Sequence, residues 1–264
     1  MAECLGLFVQ DNLIKYAKVS KENDNTKIEN YGVKFYDQDI EKTIKQIVDE
    51  TFSYKTPISI NLSKEKYTNS EVFSLLKDVD QKKAVKTEFE YLCNEMSRNK
   101  LTLDYKYIIS KEQNDKDKRT VLYTFAEKGD IAESIQVLDP YRMVNLSPVS
   151  LAINSITKEE NCVIVNLEDR TEITTIVNGV PVKVDTIDLG MNEILRKITE
   201  RENSTSKAYE ICKNTTLYTA SSQNLQTENN EYLEIIVPII YQITEEINKV
   251  LEKNETNIEK IYIT

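Results

Sequence analysis

Apolar and polar positions in the first quarter of the chain predict a small sheet and one helix. Residues 4–9 form an apolar run, and residues 13–19 and 28–36 alternate with the two-residue period of β-strands. Residues 39–52 change to the helical spacing of isoleucine and valine that is typical of an amphipathic helix. Residues 58–62 alternate again. The pattern predicts a three-stranded meander, a helix and a fourth strand.

The same order of elements returns in the second half of the chain. Residues 162–167, 172–177 and 180–189 predict three strands, and Asn178-Gly179 is a strong hairpin signal between the last two. Residues 192–202 then have helical spacing. Further predicted elements are helices at 207–213 and 232–251, a mobile polar connection at 215–230 and a terminal strand at 258–263.

A different pattern separates these two repeats. We predict helices at Ser70–Leu76 and Gln81–Met96, the second with an apolar stripe that includes Phe89. Strands follow at 101–110 and 120–126. A helix at 129–138 and a short strand at 144–146 lead back to the second repeat. The middle of the chain therefore reads as an inserted α/β unit.

Composition excludes several classes of function. There is no histidine, which removes Ser-His-Asp and Cys-His nucleophilic systems and histidine-ligated metal sites. Only five glycines are present and no two lie close together, so the sequence contains neither a P-loop nor a dinucleotide-binding motif. The formal net charge of −10 argues against a nucleic-acid partner and against attraction to anionic lipid.

Other features of the sequence predict a cytoplasmic protein. The four cysteines contain no CxxC pair, which is typical of buried thiols rather than of a disulfide framework or metal site. The first ten residues lack the basic start and apolar stretch of a signal peptide. The most apolar window, residues 232–243, is short and contains Glu234 and Pro238, so we expect no direct insertion into a membrane.

Two repeats of three strands and a helix, with an insertion after the first, resemble the actin and heat-shock ATPase superfamily. Four stretches carry a closer resemblance: CLGLFVQDNLIKYAKVS, EVFSLLKDVDQKKAVKTEFEYL, GDIAESIQVLDPYRMVNLSPVSLAINSI and VIVNLEDRTEITTIVNGVPVKVDTIDLG. In these stretches the sequence is similar to the PilM family of type IV pilus machines and to the cytoplasmic domain of the type II secretion protein GspL.

The resemblance implies an α/β fold of the actin-like (ribonuclease H-like) type, with two lobes and an inserted small α/β subdomain. It places the first lobe at residues 1–62, the inserted subdomain at 63–146 and the second lobe at 147–264. It also implies a Gly-rich adenosine-binding turn just after the position of Thr264. The resemblance therefore leaves two alternatives open, a protein that is shortened there and a fragment whose second lobe is incomplete at its C-terminus.

Active members of this superfamily hold ATP between two hairpins, each with an Asp-x-Gly core whose Asp organises magnesium. Phe8 and Gln10 stand at the Asp and Gly positions of the first hairpin, and Asn166 and Glu168 at those of the second. The resemblance therefore implies a pseudo-ATPase without a cofactor. The vestigial phosphate loops comprise Gln10, Asp11, Asn12, Asn166, Glu168, Asp169 and Thr171.

By the same resemblance, the chain is expected to be a scaffold at the cytoplasmic face of the pilus inner-membrane platform, peripheral to the membrane through protein partners. It would bind the cytoplasmic N-terminal segment of a PilN-like membrane protein and contact the pilus assembly ATPase. In the family, the PilN segment lies between the first lobe and the inserted subdomain. The implied contacts are Ile60, Leu62, Leu75, Leu76 and Phe89.

Other functions stay open at this point. An actin-like ATPase with divergent loops would bind ATP and magnesium, with Asp11, Asp169, Thr171 and Lys15 as candidate ligand contacts. A filament-forming actin homologue would instead sediment in a concentration-dependent way. If the chain is a piece of a longer membrane-anchored protein, as in GspL, the partner segment would be fused downstream.

Overall fold

The computed structural model describes most of the chain, in segments separated by short gaps. The described residues are 2–23, 25–36, 39–111, 117–154, 157, 159–215, 231–253, 258 and 260–264. The connection predicted at 215–230 lies outside them from residue 216 onwards.

The elements follow the predicted order closely. The strands are β1 Ala2–Val9, β2 Leu13–Glu22, β3 Asn25–Phe35, β4 Ile58–Leu62, β5 Lys66–Phe73, β6 Leu103–Ile109, β7 Lys118–Glu127, β8 Met143–Pro148, β9 Cys162–Asn166, β10 Thr171–Val177, β11 Val180–Ile187 and β12 Lys260–Ile263. The helices are α1 Ile40–Glu50, α2 Asp78–Glu95, α3 Lys128–Gln136, α4 Val149–Ile153, α5 Asn192–Glu202, α6 Thr205–Asn214 and α7 Leu233–Glu252.

The first sheet is formed by the opening meander together with β4 and β8, in the order β3-β2-β1-β4-β8. β1 is antiparallel to β2 and parallel to β4, with Leu7 opposite Ile60. Because side chains alternate between the faces of a strand, Leu5, Leu7 and Ile60 share one face and pack in a core with Ile44 and other apolar residues of α1. The candidate functional site lies on the opposite face of the sheet.

The inserted unit has a sheet and a core of its own. Its strand order is β5-β7-β6, and α2 packs on one face. The ring of Phe89 stacks on that of Tyr105 with centroids 4.0 Å apart. The buried Tyr123 hydroxyl donates to the Val85 carbonyl over 2.9 Å, and burial raises the pKa of Tyr123 to about 12.

The predicted helix at Ser70–Leu76 is wrong, because this stretch contains the end of strand β5. Its apolar residues could be read with either period, and Val72 and Phe73 favour a strand. Pairing with β7 decides the outcome: Ser70 lies opposite Val121, and Val72 is buried beside α2. Leu75 and Leu76 consequently lie in the turn between β5 and α2.

The second repeat forms a four-stranded sheet in the order β11-β10-β9-β12. All five residues of β9 are buried, which explains its continuous apolar run in the sequence. A separate core joins α5, α6 and α7, with Ile194, Ile198, Ala208, Ile236 and Ile243 at its centre.

The chain divides into two compact units. One comprises Met1–Ile164, Thr174–Val184 and Asn257–Tyr262, and the other Val165–Ile173, Asp185–Thr256 and Ile263–Thr264. The three-part division at residues 62 and 146 expected from the sequence stays a prediction. No helix in the described part of the chain combines the length and apolar composition needed to span a bilayer.

Helix α1 ends in a Schellman motif with an aromatic residue at its left-handed position. The Ser53 N–H donates to the Val48 carbonyl over 2.9 Å, and the Phe52 N–H donates to the Asp49 carbonyl over 3.3 Å. Phe52 has a φ of 52°, a conformation that glycine adopts freely and a bulky residue adopts only under strain. Its side chain is 80% exposed, so packing does little to compensate for that strain.

We expect Phe52→Gly to raise the free energy of unfolding by about 1 kcal/mol, because glycine removes the strain at this position. Asn203, whose φ is also 52°, provides the matched control. Asn203→Gly should have a smaller effect, since asparagine tolerates the left-handed region. Equilibrium unfolding in guanidinium chloride measures both variants. A loss of stability in Phe52→Gly would contradict the assignment of strain.

The segment before α5 passes very close to the turn between β9 and β10. A Cβ on Gly190 would overlap the carbonyl oxygen of Glu168 and lie 2.7 Å from the carbonyl carbon of Asp169. The next residue ties the two segments together, since the Met191 N–H donates to the Leu167 carbonyl over 2.8 Å. Only glycine, which has no Cβ, therefore allows the two backbone segments to approach each other this closely.

Gly190→Ala should lower the free energy of unfolding by about 2 to 3 kcal/mol, because two backbone segments must separate to admit the methyl group. Gly129→Ala in α3 is the control, since no atom lies within 4 Å of the added Cβ. That variant should lose no stability, as alanine favours helix more than glycine does. Thermal and chemical unfolding would show the difference, and equal effects of the two substitutions would refute it.

Candidate functional site

The first vestigial loop is a tight hairpin between β1 and β2 in which Gln10 is part of the fold. The Gln10 N–H donates to the Leu13 carbonyl over 3.0 Å. The Tyr36 hydroxyl donates to the Gln10 carbonyl, and the Tyr36 N–H donates to the Asn12 carbonyl over 3.1 Å. Gln10 is buried, whereas Asp11 and Asn12 are exposed. The residue at the expected glycine position therefore stabilises the hairpin.

The side chain of Asn61, in β4, forms hydrogen bonds with backbone groups at the end of β1. The Val9 N–H donates to Asn61 Oδ1 over 2.7 Å, and Asn61 Nδ2 donates to the Val9 carbonyl over 3.1 Å. A phosphate-binding hairpin needs backbone N–H groups that point at the anion. The Val9 N–H, next to the expected Asp position, is already used within the protein.

A cavity opens on the face of the first sheet that does not pack on α1. Its volume is about 370 Å³. Phe8 lines it from β1, and Lys15 Nζ lies 5.7 Å from the centre of the Phe8 ring, within the range of a cation–π contact. The other lining residues are Gly6, Leu7, Tyr16, Ala17, Ser59, Ile60, Asn61, Asn145, Ser147, Val149 and Ala152.

Most of the surface that lines this cavity is apolar, and a few polar side chains also contribute to it. Phe8 stands where the resemblance expects the magnesium-organising Asp, and a phenyl ring can neither ligate a cation nor accept a hydrogen bond from bound water. Lys15 supplies one positive charge, and Ser59 and Asn145 supply neutral polar groups. A lining of this kind, in which Lys15 is the charged side chain, is typical of a site for a small, partly apolar molecule.

The second vestigial loop carries Asn166 and Glu168 where the resemblance expects Asp and Gly. Asn166 is the last residue of β9 and is buried, and Glu168 is half-buried in the turn that follows. The Glu168 carbonyl accepts a 3.3 Å hydrogen bond from the Asn192 N–H, at the start of α5. A carboxylate at this position adds both bulk and negative charge to a loop that would have to receive phosphate.

The remaining residues of the second loop also have structural contacts. The Asn192 amide donates to Asp169 Oδ1. Thr171 is fully buried, and its N–H and hydroxyl both donate to the Leu189 carbonyl, over 3.0 and 2.7 Å. These bonds tie the loop to the segment that precedes α5. Within the described residues, no group of three or more Cys, Asp or Glu side chains is arranged to hold a metal ion.

The structure does not bring the five expected partner contacts together. Ile60 belongs to the core of the first sheet, Phe89 to the core of the inserted unit, and Leu62 is buried as well. Leu76 is half-buried and Leu75 is 87% exposed, in the turn between β5 and α2. The role of all five residues as partner contacts stays a prediction. Among them, Leu75 in the turn is the most exposed.

Sequence reasoning missed two exposed apolar residues beside this turn. Phe73 ends β5 and Val79 is the second residue of α2, and both side chains are more than half exposed. Lys118 Nζ lies 5.4 Å from the centre of the Phe73 ring. The incorrect helix assignment hid Phe73 by placing it on a helix face, and Val79 lay in the connection to the next predicted helix. The available signal was a run of apolar residues interrupted by charges, Phe73 to Val79, between two regular elements.

Comparisons with known proteins place the fold. No protein-family model and no curated protein sequence matches the chain. Among solved structures, a PilM-PilN type IV pilus biogenesis complex matches with a TM-score of 0.73 at 14% identity, over 98% of this chain and 80% of the other.

Two further structures match less closely. The cytoplasmic domain of EpsL, an inner membrane component of the type II secretion system of Vibrio cholerae, has a TM-score of 0.51 at 12% identity, over 77% and 76% of the two chains. The ethanolamine utilization protein EutJ from Carboxydothermus hydrogenoformans has a TM-score of 0.51 at 11% identity, over 100% and 76%. The chain therefore has the actin-like α/β fold that the sequence resemblance implied.

Proposed function

We propose that this protein is a scaffold of a type IV pilus or related secretion platform, built on an actin-like fold that no longer hydrolyses ATP. The observation that carries the proposal is the match to the PilM-PilN complex along 98% of the chain. The match to the cytoplasmic domain of EpsL supports the same class of inner-membrane assembly. Both similarities show only the fold. The function is inferred from the fold together with the residues of the two loops.

The chemistry of the two loops supports the absence of ATPase activity. Phe8 and Gln10 replace the Asp and Gly of one loop, and Asn166 and Glu168 replace those of the other. Asn61 and Leu189 hold backbone groups in these loops through internal hydrogen bonds. Catalysis of phosphoryl transfer depends on preorganised charge around the phosphates and metal. The proposed scaffold therefore works without a nucleotide cofactor.

The proposed partner is the cytoplasmic segment of a PilN-like membrane protein. A short segment of this kind binds through apolar side chains in pockets and through main-chain hydrogen bonds. Leu75 and Leu76 offer apolar surface outside the cores, next to the exposed Phe73 and Val79. Contact with the pilus assembly ATPase, at the cytoplasmic face of the membrane, completes the proposed role.

One observation favours a second candidate, a nucleotide-binding actin-like protein with divergent loops. The cavity of about 370 Å³ lies beside the first loop and includes Lys15. A small ligand would fit there, and ATP with magnesium is the ligand that the resemblance to active superfamily members suggests. The two candidates differ in a single measurable property, magnesium-dependent ATP binding.

The scaffold proposal predicts no ATP-dependent stabilisation. Thermal-shift and calorimetric titrations with ATP and magnesium should show neither a shift nor heat of binding, because the loops lack the Asp-x-Gly cores. A ligand at about 100 times its dissociation constant would stabilise the folded state by about 2.7 kcal/mol. A magnesium-dependent shift of this size that disappears in Lys15→Ala would instead support the second candidate.

Partner binding is tested with the cytoplasmic N-terminal peptide of a PilN-like protein, measured by calorimetry. Leu75→Asp combined with Leu76→Asp should weaken binding at least about tenfold, because a buried leucine contributes about 1.5 to 3 kcal/mol. Leu101→Asp is the control, since Leu101 is a 72% exposed leucine outside this turn. Equal affinity of all three proteins would show that the turn is not part of the binding surface. Absence of binding by the unmodified chain would remove the PilN-like partner.

A further inference from the structure

The inserted sheet has an open edge at β6. The strand order β5-β7-β6 leaves β6 with one neighbour, and among the described residues no strand pairs with its outer side. Its seven residues, Leu103–Ile109, pair with β7 in an unbroken register. A regular, unpaired edge presents backbone donors and acceptors to another strand.

The backbone groups of the odd-numbered residues of β6 point towards this open side. The Ser110 N–H donates to the Thr120 carbonyl over 2.8 Å, so even-numbered residues bond to β7, because strand residues alternate in direction. The Tyr105 N–H confirms this alternation, since it donates to Asp104 Oδ1 over 2.9 Å rather than to β7. Leu103, Tyr105 and Tyr107 thus direct their backbone groups outwards.

The order of residues along β6 is complementary to itself in the antiparallel direction. A two-fold axis at Tyr105 would bring Asp104 opposite Lys106 of a second copy, and Lys106 opposite Asp104. Both side chains are exposed. The same axis brings Leu103 opposite Tyr107, on the face that packs on α2. Opposite charges and apolar groups facing each other across a strand pair are both stabilising.

From this we propose that the chain forms a two-fold dimer through its β6 edges. Leu103, Tyr105 and Tyr107 of each copy then exchange N–H···O=C bonds with those of the other, and Tyr105 pairs with itself on the axis. The Asp104 carboxylate leaves the Tyr105 N–H and pairs with Lys106 of the second copy. The two inserted sheets become one continuous six-stranded sheet.

Two other edges of the described sheets, β3 and β5, are less suited to this pairing. β3 is the edge of the first sheet, and its register against β2 shifts between Lys18 and Val19, an irregularity that disfavours addition of a further strand. β5 is the opposite edge of the inserted sheet, and the Asn69 amide there donates to the Val182 carbonyl of β11. β6 has neither feature.

A dimer of this kind closes on itself. Both copies use the same surface, so the contact is complete with two chains and does not propagate into a filament. One pair of strands buries a small area, and interfaces of that size give weak, reversible association. The dimer therefore forms in a concentration-dependent way, and added salt weakens it by screening the exposed ion pairs.

Sedimentation velocity of charge-reversed variants tests the proposal. Asp104→Lys places lysine at both positions, and Lys106→Asp places aspartate at both, so each variant alone should dimerise at least about tenfold more weakly than the unmodified chain. A mixture of the two variants restores both opposite-charge pairs across the axis. The mixture should sediment as a dimer at concentrations where each variant alone is a monomer.

Lys66→Asp on β5 is the matched control, since it makes the same charge change at an exposed position on the other edge of the sheet. It should dimerise like the unmodified chain, and its mixture with Asp104→Lys should not reach the association of the complementary mixture. The proposal is overturned if the unmodified chain stays monomeric at all concentrations. Dimers that persist in both single variants, or a complementary mixture that stays monomeric, would overturn it as well.

Discussion

Parallel pairing of β1 with β4 is the constraint on which the first unit depends. Leu5 and Leu7 reach the same core as Ile58 and Ile60 only in this register, and the Leu5 N–H donates to the Pro57 carbonyl where the pairing begins. Asn61 continues the pairing beyond the ladder by binding both backbone groups of Val9. This register determines the position of the first hairpin and of the cavity beside Phe8. It also determines where the chain leaves β4 and enters the inserted unit.

Internal hydrogen bonds hold both of the loops that the sequence resemblance assigns to phosphate binding. In the first loop the Val9 N–H donates to Asn61 and the Gln10 carbonyl accepts from Tyr36. In the second loop the Thr171 N–H and hydroxyl both donate to the Leu189 carbonyl. A hairpin that is stable without a ligand keeps its sheet in register whether or not a nucleotide is present.

The inserted unit carries the surfaces on which both proposals depend, and they lie at opposite edges of one sheet. The turn with Leu75 follows β5, whereas the self-complementary residues lie on β6, with β7 between the two strands. The aromatic stack of Phe89 and Tyr105 fixes the sheet against α2. A peptide at the turn and a second copy at β6 would therefore bind without competing for the same residues.

Local periodicity was enough to predict most elements, because alternating and helical patterns depend on neighbouring residues. The meander, α1 and α5 are examples, and the absence of Asp and Gly at positions 8, 10, 166 and 168 could also be read directly from the sequence. Only the tertiary structure decided the rest. Pairing with β7 made residues 66–73 a strand, packing buried Ile60, Leu62 and Phe89, and chain crossings brought Asn61 to Val9 and Gly190 to Glu168. These outcomes depend on contacts between residues distant in the sequence, which no local pattern encodes.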